Sequence, residues 1–207
     1  MSDILERLRA ETRPAHEAIE RDLAWETRVA TLAEYRALLA RFWGFHAVLE
    51  PALAASLDDA PFFDPRRRLA HLAADLRILG FDDAKIQILP CPRLAPPRDR
   101  AEAFGALYVL EGSTLGGQVI AKHIGRQLGL TAECGCRYYA AHGRETGAMW
   151  KAFRQRLAEE ATRGEADAIV ISATATFDAM RHWLCATAVP ALDEEGRGPV
   201  AKVSPRG

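Results

Sequence analysis

The chain has almost no β-branched alternation, no run of about 18 uncharged apolar residues, four cysteines and no surplus of either charge. Each shortage removes a class of function. Without period-two segments there is nothing from which to build a sheet, so an all-α fold is expected. The absence of a long apolar run argues against a membrane-spanning helix, and the charged start MSDILERLRAETR lacks the apolar stretch of a signal peptide. A cytoplasmic protein is the expectation. With 27 basic against 28 acidic residues there is no footprint for nucleic acid or an anionic membrane. Cys91, Cys134, Cys136 and Cys185 are irregularly spaced, and Cys134 and Cys136 stand one residue too close for a CxxC pair, which favours reduced thiols over a zinc or redox site.

What is present is an ordinary globular composition, 207 residues of which 49% are hydrophobic. Such a chain buries roughly 70% of its unfolded surface and needs neither disulfides nor structural metal to hold a core. One domain over residues 1–190 is expected, with a Gly-, Pro- and charge-rich tail over 191–207 that should be disordered. A first helix should run from an Asp3 cap to Leu23, with Ile4, Leu8, Ala15 and Ile19 as its apolar stripe. Thr31-Leu-Ala-Glu34 has the form of a capping box, opening a helix that Pro51 should kink or end. Asp64-Pro65 and Gly80 bracket a third helix near 65–79. The prolines of 90–97 require a connector. A long element then spans Asp99 to Leu128 and stops at Gly129, followed by helices near 145–163 and 165–189.

Two helices carry the chemical signal. On the first, His16 lies at the edge of the apolar stripe beside Thr12, with Glu20 one turn on and within reach of the same imidazole. That pair is either a half-buried histidine bonded to a glutamate or a metal ligand whose second nitrogen is fixed by a carboxylate. On the long element Gly105, Tyr108, Gly112, Gly116, Val119 and His123 fall on one face, with Gly117 adjacent. Each mid-helix glycine costs about 1 kcal/mol relative to alanine, so a bare backbone must be required there. Either another helix packs closely, or a flat ligand lies against a helix bent at Gly112 to Gly117. His123, on the same face, is the competing ligand at the pocket edge, whereas His46, His71, His142 and His182 read as structural or solvated. No histidine has a glutamate three residues before it, which excludes the Glu-x-x-His pairs of a di-iron bundle, and there is no HExxH, P-loop or Rossmann fingerprint.

The segments Leu8-Arg-Ala-Glu-Thr-Arg-Pro-Ala-His-Glu-Ala-Ile-Glu20 and Leu107-Tyr-Val-Leu-Glu-Gly-Ser-Thr-Leu-Gly-Gly-Gln-Val-Ile120 together resemble the haem oxygenase family, especially its bacteriophytochrome-associated bacterial branch. The resemblance covers residues 3 to 187. It implies a multi-helix fold with haem between a proximal N-terminal helix and a glycine-bent distal helix. His16 corresponds to the axial iron ligand and Glu20 to its partner, and Gly112, Ser113, Gly116 and Gly117 correspond to the catalytic distal wall, with Thr114 beside them. Ser113 stands where some members carry a carboxylate. Arg9, Thr12, Tyr108 and Arg154 correspond to haem contacts, Arg9 and Arg154 to basic residues that pair with propionates, with Lys151 a further candidate.

The implied chemistry directs oxidation to the porphyrin's own meso carbon. A neutral imidazole gives iron little electronic push, unlike a thiolate, and a wall of glycine backbone supplies no acid that would force the oxygen–oxygen bond apart. Haem would be both substrate and prosthetic group, with O2 and electrons from a ferredoxin or reductase, since no flavin or nicotinamide fingerprint is present. The expected products are biliverdin, as the IX-alpha isomer, carbon monoxide and ferrous iron, with a bacteriophytochrome as acceptor. A haem carrier that kept the pocket is the main alternative. A thiaminase-type hydrolase would need a cysteine nucleophile, and retention of His16 with the glycines argues against it.

Overall fold

The computed structural model describes residues 4–186. The expected Asp3 cap, the last residues of the final helix and the tail 191–207 lie outside the described residues. Within them the chain is helical with no strand, apart from bridged backbone pairs in the turn at Thr131, Cys134 and Gly135. No described helix is long and apolar enough to cross a membrane. In chain order the helices are α1 (Ile4–Leu23), α2 (Trp25–Arg28), α3 (Leu32–Leu57), α4 (Ala60–Phe63), α5 (Leu69–Ile78), α6 (Asp83–Gln87), α7 (Arg100–Leu128), α8 (Arg137–Ala140), α9 (Thr146–Glu160) and α10 (Ala166–Cys185).

Local chemistry sets most boundaries. The Thr31 hydroxyl accepts from the Glu34 amide at 3.2 Å and the Glu34 carboxylate accepts from the Thr31 amide at 2.9 Å, a complete capping box at the start of α3. The Asp99 carboxylate accepts from the Glu102 amide at 2.9 Å and opens α7, which Gly129 closes at φ 70°. Gly164 at φ 90° breaks the path between α9 and α10, where two helices rather than one were expected.

Two expectations are corrected. Pro51 does not end α3, which continues to Leu57 because Leu49, Leu53 and Leu57 are buried on both sides of it. That burial exceeds the roughly 3 kcal/mol a mid-helix proline costs. Asp64-Pro65 opens only a short 3₁₀ turn, Asp64–Arg66. Arg67 is then extended at ψ 137°, so α5 begins at Leu69.

The core gathers Leu8, Tyr35, Phe45, Phe104 and Phe153, all essentially inaccessible, around α7. At Gly105, α7 meets α10 so closely that a Cβ would lie 2.2 Å from the Ile169 carbonyl oxygen and 2.8 Å from the Ser172 side chain. Close packing does explain that glycine. Gly105→Ala is expected to cost about 1–3 kcal/mol or more through overpacking, read as a lower melting temperature of the haem-free protein. An unchanged melting temperature would contradict this contact.

Candidate functional site

Farther along the face that carries Gly105, a cavity of about 540 Å³ opens, lined by residues of α1, α7 and α10. Its size is that of a ligand site, and its walls are mostly apolar, with Ile19, Phe42, Phe177, Met180 and Leu184 among them. A few polar groups interrupt this surface.

From α1 comes His16. Its Nδ1 lies 3.4 Å from the Glu20 carboxylate, the side chain is 51% exposed, and the ring stands edge-on to Phe177 at 5.5 Å. One helical turn sets the pairing, and the aromatic contact limits rotation of the ring. Among the described residues Nε2 has no partner, so one imidazole nitrogen is oriented by a carboxylate while the other remains available. This donor arrangement suits an iron ligand.

The glycines of α7 divide into two kinds. Gly117 lines the cavity, yet a Cβ there would meet the Tyr139 carbonyl oxygen at 2.8 Å, so packing requires it in the same way as Gly105. Gly112 and Gly116 also line the cavity, but a Cβ at either would meet nothing within 4 Å. No protein contact asks for these two. What they provide is bare backbone facing open space, which a flat bulky ligand would use. The helix runs through them unbroken, so they act by lacking side chains rather than by interrupting it.

Ser113 and Thr114 line the same wall with their hydroxyls turned back, donating at 2.7 Å to the carbonyls of Leu110 and Glu111 respectively. Their oxygens remain free as acceptors only. Arg9 and Tyr108 line the cavity. Burial pushes the Tyr108 phenol above its ordinary value, opposed by the nearby Thr12 hydroxyl and the Arg9 charge. Thr12 itself is buried outside the lining and donates to the Leu8 carbonyl at 2.6 Å.

The structure does not bring every expected residue to the cavity. Arg154 and Lys151 are exposed on α9 and outside the lining, to which that helix contributes Trp150 instead. His123 is also outside it, packed edge-on against Trp25 at 5.1 Å.

One residue read as structural stands in the wall. His46 is 1% exposed, with Nδ1 at 2.8 Å from the Glu50 carboxylate and Nε2 at 3.2 Å from the Tyr138 hydroxyl. The same Glu50 oxygen accepts from the amides of Arg68 and Leu69 at 2.7 and 2.9 Å. That carboxylate holds the proton on Nδ1, leaving Nε2 to accept from Tyr138. The sequence carried a signal for it, because His46-x-x-x-Glu50 repeats the spacing of His16-x-x-x-Glu20. Arg68 is a second missed lining residue, 4% exposed.

Comparison with known proteins follows the same lines. A family model described as Heme oxygenase matches residues 2–186. A curated heme oxygenase of Xanthomonas campestris is 37% identical over 132 residues, 60% of this chain and 72% of that protein. Among solved structures, the NO- and CO-bound heme oxygenase of Neisseria meningitidis is similar with a TM-score of 0.72 at 25% identity, covering 96% of this chain and all of that one. The heme oxygenase of Leptospira interrogans superposes with a TM-score of 0.72 at 18% identity, covering 88% and 98% of the two chains. Heme oxygenase 2 of Chlamydomonas reinhardtii, solved without heme, gives 0.68 at 17% identity over 92% of this chain and all of that one.

Proposed function

The chain belongs to the haem oxygenase family, and from that premise we propose that it cleaves haem with O2 and external electrons to biliverdin IX-alpha, carbon monoxide and ferrous iron. The observation that carries this reading is the pairing of an available His16 with two glycines, Gly112 and Gly116, that face open cavity and serve no protein contact. Haem supplies the redox chemistry as substrate. The chain's own residues bind and orient it.

His16 would hold the iron from the α1 side, with the Glu20 carboxylate 3.4 Å from Nδ1 to orient the imidazole. The bare backbone of Gly112 and Gly116 lets the ring and its reacting edge lie against α7. Ser113 and Thr114, with hydroxyl hydrogens committed to backbone carbonyls, offer no acid on that wall. Gly117 belongs to the wall through its packing on Tyr139.

Rotation of the ring about the iron decides which meso carbon is attacked, and the propionates are its only charged handles. Arg9 is the basic lining residue of α1 and Tyr108 a hydroxyl near it, so these two hold the propionates in this reading. Arg154 would reach the substrate only from outside the cavity described. Electrons come from a ferredoxin or reductase in a transient complex, in the cytoplasm, and the biliverdin passes to an acceptor such as a bacteriophytochrome.

Arg9→Ala tests the orientation directly. Wild-type protein supplied with hemin and a ferredoxin system should yield the IX-alpha isomer, and Arg9→Ala should yield a mixture, read by chromatographic separation of the isomers. A single unchanged isomer from the variant would remove Arg9 from this role.

A further inference from the structure

Part of the cavity wall is held by a buried carboxylate that the chemistry above does not use. The segment α8 is a single turn of four residues, too short to persist as a helix on its own. Its N-cap, Cys136, gives no side-chain bond. Ala141 leaves the turn at φ 53°, a conformation that a residue with a Cβ keeps only when its surroundings impose it. Yet this turn supplies two residues of the wall, Tyr138 and Tyr139. Its position must be set from outside.

The group that sets it is Asp75 of α5. The carboxylate is fully buried, and its two oxygens accept from the first two amides of α8, Oδ1 from Arg137 at 2.9 Å and Oδ2 from Tyr138 at 2.8 Å. A helix start leaves its first amides without partners, so Asp75 provides from another helix the cap that Cys136 does not.

From α8 two contacts lead to the cavity. The Tyr139 carbonyl oxygen packs on α7 at Gly117, where an added Cβ would lie 2.8 Å from it. The Tyr138 hydroxyl donates to His46 Nε2 at 3.2 Å. That second contact closes a circuit, because the Glu50 carboxylate accepts from His46 Nδ1 at 2.8 Å and, with the same oxygen, from the Arg68 and Leu69 amides that begin α5. Glu50 thus caps the helix that carries Asp75, and Asp75 caps the turn that carries Tyr138. Within this ring of α3, α5 and α8 the bond from Tyr138 to His46 is the longest. A displacement of α8 by about 0.5 Å would take it beyond hydrogen-bond range.

We propose that Asp75, which does not itself line the cavity, is a positioning residue for haem. It holds α8 so that the Tyr138 hydroxyl stays on His46 and the Tyr139 backbone stays against Gly117, and in this way it sets the shape of that wall. The proposal rests on the proposed function only in naming haem as the occupant.

The first test uses haem-free protein labelled with 15N at histidine, so its failure leaves the proposed function untouched. The His46 Nε2 resonance should move in Tyr138→Phe, which removes the donor, and should move in the same direction in Asp75→Asn, whose amide nitrogen cannot accept from Tyr138. Gly105→Ala, which strains the fold elsewhere, should leave that resonance in place. In hemin titrations Tyr138→Phe and Asp75→Asn should each raise Kd by about 2- to 10-fold, the worth of one hydrogen bond. The double variant should bind no more weakly than Asp75→Asn alone, because both substitutions act through one contact. Hydrogen exchange of the wild-type protein needs no variant, and there the Arg137 and Tyr138 amides should be as protected as those of α5. Exchange of these two amides at the rate of an unsupported turn, a His46 signal unmoved in Asp75→Asn, or losses that multiply in the double variant would each overturn the proposal.

Discussion

Replacement of His16 by alanine is expected to weaken hemin binding by more than the about 10- to 100-fold that loss of a ligand's outer partner costs, and to remove most turnover. The physical case rests on the imidazole's situation. Its side chain is 51% exposed, so truncation leaves no buried cavity and should barely change the stability of the haem-free fold. Truncation forfeits only the edge-on packing of the ring against Phe177, a modest energy. An effect on hemin can therefore be separated from an effect on folding, by comparing melting temperatures of the haem-free proteins with their hemin titrations. Because the truncated site opens to solvent, free imidazole should restore much of the activity. Near-normal biliverdin yield from the variant without added imidazole would refute the assignment. Glu20→Gln should give a smaller loss of the same kind, since the 3.4 Å separation makes the carboxylate an orienting partner rather than a tight one.

The second large effect concerns Gly116, where stability and function should move in opposite directions. A Cβ there meets nothing within 4 Å, and a mid-helix glycine costs about 1 kcal/mol relative to alanine. Gly116→Ala should therefore stabilise the haem-free protein by about 0.5–1 kcal/mol, a rise of roughly 2–4 °C per kcal/mol for a chain of this size. The same methyl occupies space assigned to the substrate, so hemin affinity should fall, and Gly116→Leu should nearly abolish productive binding. The sign reverses at Gly105, where an added methyl collides with the Ile169 carbonyl oxygen. Melting temperatures and hemin titrations of the three variants together separate helix packing from ligand accommodation. A Gly116→Ala protein that is less stable without haem, or that binds hemin and forms product as wild type does, would remove the claim that this backbone is bare for the substrate's sake.

Those glycines also show where the sequence stops being informative. Periodicity put Gly105, Gly112 and Gly116 on one face, and the structure agrees, but it could not tell which of them has a helix opposite. Only the path of α10, in contact at Ile169 and Ser172 and separated by the cavity near Phe177 and Met180, decides that. Cap chemistry was legible because it is local, as at Thr31, Asp99 and Gly129. Asp64-Pro65 misled because the same local signal opens a 3₁₀ turn as readily as a helix. Pro51 misled as an end signal because its cost is outweighed by the burial of Leu49, Leu53 and Leu57. For His46 the local pattern was present in its spacing to Glu50, but its place in the wall depends on Tyr138, far along the chain. Arg154 carried a suitable charge for a propionate, yet α9 turns Trp150 rather than that residue toward the cavity.

The central claim is that His16 and the open glycines of α7 make a site in which bound haem is consumed. An absorption titration of the purified protein with hemin, followed by reduction with ascorbate or a ferredoxin system in air, tests it most directly. A stoichiometric Soret band that decays to the spectrum of biliverdin is the result this account predicts. A Soret band that persists through several reductants would contradict it and leave a haem carrier, and the absence of any Soret band would show that the cavity between α1, α7 and α10 takes some other ligand.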